Sequence, residues 1–329
     1  MDHSYPATTA RPAVHPGPRG VSVVIPFRRF DGGLEEAVAS VWAQRGVTAE
    51  VVLVAAGAPD RDTLRAERLA AKGPCRMAYQ AAPARGAALA RGIATAGAAI
   101  VTTLDSETVL TPHKLAADAG IVAADPRAVA VCDLERTGPG RGDGGAVRWS
   151  FDALEAVRGG ALTAHVASRA RSLPRHMTLS RALYGRTTGF DTALGAFADW
   201  ALAIELTGLA SGWVRTPRVG LNWTPRPDRR PVETALWDAS LDLHLAFLRN
   251  GDMLATRFGA DALTFLKCAA ETVVVSTQMR MAWAHMDDRA TFPGHVLTDL
   301  RALRAALAAA PGTPRARLEA AYAALTVPA

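Results

Sequence analysis

The chain has 329 residues, 49% of them hydrophobic and 21% charged, with a formal net charge of +6. That length and apolar share support a substantial core in one large domain or two smaller ones. No stretch approaches the roughly 18 uninterrupted apolar residues of a membrane span, and the arginines are interspersed with acids, so the basic stripe that nucleic acid needs is missing.

Cysteine usage narrows the class further. Cys75, Cys132 and Cys268 are far apart and form no C-x-x-C pair, which argues against a disulfide framework or a structural zinc site and fits a reducing cytoplasm. Residues 1–20 hold four prolines and no apolar block, so they read as a disordered tail and not as a secretory signal.

Val21 to Pro26 (VSVVIP) is a continuous, β-branched apolar run of the kind that forms a buried parallel strand. Leu34 to Gln44 has the spacing of an amphipathic helix, Glu50 to Ala55 reads as a second buried strand, and Arg85 to Ala96 as a helix. An apolar run from Ala99 then ends in Asp105-Ser106-Glu107. Residues 21–110 thus read strand, helix, strand, helix, strand, which implies right-handed crossovers and a doubly wound sheet. In open sheets of this type ligands collect at the carboxyl ends of the strands. Two carboxylates there can hold a divalent cation; the other reading is an acidic approach to the next helix, which Thr111-Pro112 opens.

That helix runs to about Ala124 and is followed by a strand over Ala128 to Leu134. Gly140, Gly142 and Gly145 match the dinucleotide-binding spacing G-x-G-x-x-G, but Ala146 to Phe151 looks extended where that motif needs a helix, so the loop reads as a hairpin tip. Residues 152–185 give no clear pattern. Gly189-Phe190-Asp191 leads into an apolar helix over Asp199 to Leu209 with an acid in its first turn, and Trp213 to Trp223 reads as a strand. Arg226, Arg229 and Arg230 cluster in a Pro-rich loop that is either a diphosphate clamp or a solvated surface. From Glu233 onward the pattern is almost wholly helical.

Together these segments resemble the family 2 glycosyltransferases. The opening V-S-V-V-I-P is similar to that family's first strand, and Ser40 to Gln44 (SVWAQ) to its S-V-x-x-Q element. Arg85-Gly86-Ala87-Ala88-Leu89 with Gly92-Ile93 looks like its G-K-G-x-A-x-x-x-G-I helix. Asp105-Ser106-Glu107 falls where the family keeps its D-x-D metal motif, and Gly189-Phe190-Asp191 with Ala198-Asp199-Trp200 resembles its G-F-D-E and E-D-W segments.

The resemblance implies a GT-A fold: an α/β, doubly wound mixed sheet with flanking helices over residues 21–232, and a helical C-terminal extension over 233–329. It implies an inverting transferase that moves a sugar from a nucleotide-sugar donor to a soluble acceptor. Asp199 would deprotonate the acceptor, while Asp105 and Glu107 would hold Mg²⁺ or Mn²⁺ at the diphosphate. Pro26, Phe27, Arg28, Ala56, Gly57, Arg85 and Asp105 would line the donor site. The C-terminal helices would cover the acceptor or make a homodimer. Where the family has D-D-G-S, this chain has Ala55-Ala56-Gly57-Ala58, and the first acid of E-D is Ala198. These changes keep open a second expectation, a catalytically degenerate GT-A domain that serves as a partner or regulatory scaffold.

Overall fold

β1 (Val21–Phe27) lies at the centre of a parallel block. Its neighbours are β2 (Ala49–Ala56) on one side and β4 (Ile100–Thr103) on the other, both parallel to it, and β3 (Cys75–Gln80) extends the block beyond β2. The computed structural model describes residues 20–136, 147–149, 162, 166, 176–192 and 198–224. The expected tail at 1–19, the glycines of the G-x-G-x-x-G loop, the Arg226 cluster and the helices after Glu233 lie outside the described residues, as does any dimer contact through those helices.

The strand runs are apolar at successive positions because both faces of the sheet are covered. Val23, Ile25, Val51 and Leu53 pack under Leu34, Val38 and Val41 of α1 (Gly32–Trp42). The opposite face carries Val24 and Val54, over which α3 (Arg85–Thr95) lies. Gly92 makes that approach close: a Cβ there would stand 2.2 Å from Val24 Cγ1 and 3.0 Å from Val54 Cγ2. At the amino ends of the strands Glu50 accepts from Ser22 Oγ, Arg76 Nε and the Gly97 amide at 2.6, 2.8 and 2.6 Å. This closes the bottom of the sheet with a charged cluster in which both Glu50 oxygens accept hydrogen bonds.

The sheet order is β3-β2-β1-β4-β8-β6-β9-β5, with β7 on β6. β8 (Thr178–Ser180) runs antiparallel to β4 and to β6 (Ala128–Arg136). β9 (Gly212–Trp223) runs parallel to β6 and antiparallel to β5 (Thr108–Leu110), so the sheet is mixed. α4 (Lys114–Ala124) connects β5 to β6. β7 (Val147–Trp149) pairs antiparallel with β6, Leu134 opposite Trp149 and Arg136 opposite Val147, so the expected hairpin forms on either side of the glycine loop.

Two expectations are corrected. Between β2 and α3 the chain inserts another helix, α2 (Asp60–Ala70), and the strand β3. α2 buries only Asp62, Ala66, Leu69 and Ala70, and β3 is an edge strand that buries only Ala78, so neither carries the apolar run by which a sequence announces a core element. In addition, β4 stops at Thr103, and Asp105-Ser106-Glu107 is a turn, closed by the Thr108 amide on the Asp105 carbonyl at 3.0 Å. The three residues of β5 follow, so the acids do not form the entry to α4.

Candidate active site

The order of the strands reverses at β1: β2 and β3 follow on one side, and β4 lies on the other. The crevice outside the carboxyl ends of β1 and β4 is the position where open α/β sheets bind ligands. The Asp105 turn follows β4 there, and α3 begins beside it.

Arg85 is the first residue of α3, where the positive end of the helix dipole disfavours a cation. Two carboxylates offset this. Arg85 Nη1 donates to Asp105 Oδ1 at 2.6 Å, and Nε donates to Asp199 Oδ2 at 3.0 Å. Burial alone would weaken the guanidinium as a base, but Asp105 and Asp199 more than reverse that and push its pKa further up. The bridge joins residues 85, 105 and 199, which the sequence separates by 20 and 114 positions.

Asp199 stands in the first turn of α6 (Ala198–Leu209), which follows the short helix α5 (Arg181–Tyr184) and is buried on nearly every side through Ala198, Trp200 to Ile204 and Leu206. Its side chain is only 4% exposed. Residues 188–190, ahead of this helix, are also held in place. Phe190 donates its amide to Tyr184 Oη at 3.1 Å, and Glu205 accepts from the Thr188 amide and hydroxyl. Gly189 sits at φ +79 against Tyr184, where any side chain would be strained. Thr188, just before the G-F-D residues, therefore ties this segment to α6.

His176, which the sequence reading left in an unassigned region, reaches the same place from just before β8. It is buried, with Nδ1 3.0 Å from the Thr103 carbonyl and Nε2 4.0 Å from Asp105 Oδ2. A carbonyl only accepts, so Nδ1 carries the proton. Burial, reinforced by the positive charges of Lys114 and Arg85, lowers its pKa despite the pull of Asp105, and the ring is neutral. The signal that could have found it is the H-M-T-L-S alternation over residues 176–180, whose polar members are all buried.

Glu107 lies on the far side of the turn and accepts from Trp223 Nε1 on β9 at 3.4 Å. Among the described residues no group of three or more His, Cys, Asp or Glu side chains could hold a metal ion. The pair Asp105 and Glu107 still suits Mg²⁺ or Mn²⁺, hard cations that take one or two carboxylates and complete their shell with substrate phosphates.

The remaining expected donor-site residues line the same edge. Phe27 is buried, Pro26 half-buried and Arg28 exposed at the end of β1. Ala56 is buried at the end of β2, and Gly57 turns the chain at φ +61, where a Cβ would press on Pro83 at 3.2 Å. Ala55 and Ala56 bring no carboxylate to this edge.

Residues 22–177 match the family model described as Glycosyl transferase family 2. The chain carries a family 2 glycosyltransferase domain. Its fold is GT-A, and solved structures share it. S. aureus TarS 1–349 aligns at TM-score 0.54 and 13% identity over 92% of this chain and 89% of that one. The same protein in complex with UDP-GlcNAc aligns at 0.55 and 13% over the same shares. Mannosyltransferase PcManGT from Pyrobaculum calidifontis, in complex with GDP-Man and Mn²⁺, aligns at 0.51 and 18% over 92% of this chain and 86% of that one. No curated protein sequence matches the chain significantly.

Within this glycosyltransferase domain the structure brings together Arg85, Asp105 and Asp199, and leaves Glu107 on Trp223. Arg85, expected in the donor site, is engaged by the two acids. Asp199 lies beyond the matched segment. Among the described residues no helix is long and apolar enough to cross a membrane.

Proposed function

We propose that this chain is an inverting glycosyltransferase that takes its sugar from a nucleotide-sugar donor and uses Asp199 as general base. The observation that carries the reading is the Arg85 bridge, which sets one carboxylate at the switch point of the sheet and holds a second, buried one beside it. In this mechanism the acceptor oxygen bonds to the anomeric carbon as its proton passes to Asp199. The bond from that carbon to the diphosphate breaks on the opposite face, and its electron pair leaves with the nucleoside diphosphate. A general base of this kind contributes about 10²- to 10⁴-fold.

Asp105 and Glu107 are the residues that would hold a divalent cation. A bound Mg²⁺ or Mn²⁺ supplies charge neutralisation on the departing diphosphate. The solved structures of TarS with UDP-GlcNAc and of PcManGT with GDP-Man and Mn²⁺ support donors of this class and a metal of this type. Domain limits of 21–232 for the GT-A unit and 233–329 for a helical extension, and a cytoplasmic setting, belong to the same proposal.

Ala55, Ala56 and Ala198 favour a second reading, a degenerate domain kept as a scaffold. A charge-assisted hydrogen bond contributes about 1.5–3 kcal/mol, so one lost ribose contact weakens a donor by roughly 10- to 150-fold. A thermal-shift panel of UDP-, GDP- and dTDP-sugars with and without Mn²⁺ separates the two. An enzyme is stabilised by one of them, by about 2.7 kcal/mol at a hundred times its Kd, whereas the scaffold responds to none.

A further inference from the structure

The edge of a guanidinium formed by Nε–H and Nη2–H matches the two oxygens of a carboxylate. Arg85 turns that edge to Asp199, yet only half of the fork is made. Nε donates to Oδ2 at 3.0 Å, while Arg85 Nη2 and Asp199 Oδ1 are both buried with no hydrogen-bond partner among the described residues. The guanidinium is held from its other side, where Nη1 donates to Asp105 Oδ1 at 2.6 Å. Polar atoms left unpaired in the interior are costly, so a pair selected for stability would close the fork.

We propose that Arg85 is a positioning residue for the base: anchored on Asp105, it grips Asp199 through Oδ2 and leaves Oδ1 as the oxygen that receives the acceptor's proton. This rests on the reading of Asp199 as the base. Among the described residues the charged and titratable groups around Asp199 are Arg85, Asp105 and the neutral His176. Arg85 is the only cation of the three, and it separates two carboxylates that would otherwise repel each other. Two of the guanidinium's N–H bonds are committed to the acids, so a nucleotide would have to compete with Asp105 and Asp199 for it. When Oδ1 takes the proton, Asp199 becomes a neutral acid and Arg85 retains its charge partner in Asp105.

The test uses the full chain, with UDP-GlcNAc and GDP-mannose as probes in the presence of Mn²⁺. Binding is read by calorimetry, and turnover by release of the nucleoside diphosphate with water as acceptor. If the wild type binds and turns over neither probe, nor any other member of the UDP-, GDP- and dTDP-sugar panel, the glycosyltransferase reading fails and this one falls with it. With a donor in hand, Arg85→Met is expected to leave its Kd within about threefold and to lower kcat by about 100-fold, the range of a misplaced base. Arg85→Lys, which keeps the charge but not the fork, recovers part of that loss. The double variant Arg85→Met/Asp199→Asn is expected to be no slower than Asp199→Asn alone, because Arg85 acts through Asp199. Multiplying losses would overturn the proposal, as would a Kd raised more than about tenfold with kcat intact, which would make Arg85 a donor ligand. Should circular dichroism show that Arg85→Met does not fold, the same Kd and kcat comparison is made on Arg85→Lys and its double with Asp199→Asn.

Discussion

Gln44 and Thr111, 67 residues apart, are joined by a hydrogen bond from the Gln44 side-chain amide to the Thr111 carbonyl at 2.7 Å. Gln44 Oε1 also accepts the Leu115 amide at 2.9 Å, and one turn earlier Ser40 Oγ accepts the Leu110 amide at 3.1 Å. The S-V-W-A-Q element therefore stitches the end of α1 to the corner between β5 and α4, the stretch that follows Glu107. Gln44→Met keeps the volume and removes both bonds. It is expected to cost about 1–3 kcal/mol, read as a lower urea midpoint with an unchanged slope.

Gly92 sets two effects against each other. Alanine is a better helix former than glycine by about 1 kcal/mol, but its Cβ would stand 2.2 Å from Val24 Cγ1. Overpacking of a filled core costs about 1–3 kcal/mol, so Gly92→Ala should destabilise the domain. Adding Val24→Ala should recover part of the loss. A stabilised single variant in chemical denaturation would refute the close approach of α3.

Lys114 and Asp118 form an ion pair at 2.7 Å with both side chains fully buried, and Thr178 Oγ1 accepts from the first at 3.0 Å and donates to the second at 2.6 Å. Breaking such a pair from one side leaves an uncompensated charge. Lys114→Met should cost about 3–5 kcal/mol, while Lys114→Met together with Asp118→Leu should cost much less or nothing. Equal losses in the single and double variants, measured by urea unfolding, would count against this.

Glu50 is a carboxylate whose hydrogen bonds decide its ionisation. Burial raises its pKa, but bonds from Ser22, Arg76 and the Gly97 amide outweigh that and leave it below the usual carboxylate range. Its contribution is therefore complete above the unfolded pKa and is lost as pH falls through the lower, folded one. Glu50→Gln should be less stable at neutral pH and should show a flatter fall in melting temperature in acid. A parallel fall in both proteins would exclude Glu50 from the acid transition.

At the proposed active site, Asp199→Asn should lower sugar transfer by about 10²- to 10⁴-fold while donor-dependent thermal stabilisation persists. Asp105→Ala should instead remove the Mn²⁺-dependent part of that stabilisation. Full turnover in the first variant, or an unchanged Mn²⁺ response in the second, would reject the assignment concerned.

The parallel block around β1 was legible because residues covered on both faces write uninterrupted apolar runs, as in Val21 to Pro26 and Glu50 to Ala55. α2 and β3 were not, since an outer helix and an edge strand need little apolar surface. Asp105 stands out by its place at the end of an apolar run, Asp199 only through motif resemblance. Their meeting on Arg85, and the arrival of His176, depend on α6 and β8 folding back across the sheet, long-range contacts with no local periodicity to announce them. Gln44 was noticed as part of a motif, while its task became visible only with Thr111 and Leu115 in place.

The pairing of Trp223 with Thr108 at the end of β9, and the Thr224 amide on the Glu107 carbonyl at 3.4 Å, fix the address from which the remaining chain departs. Thr224 stands at the threshold of the acidic turn, so every loop graft, truncation or fusion made just after it is also an intervention on Glu107.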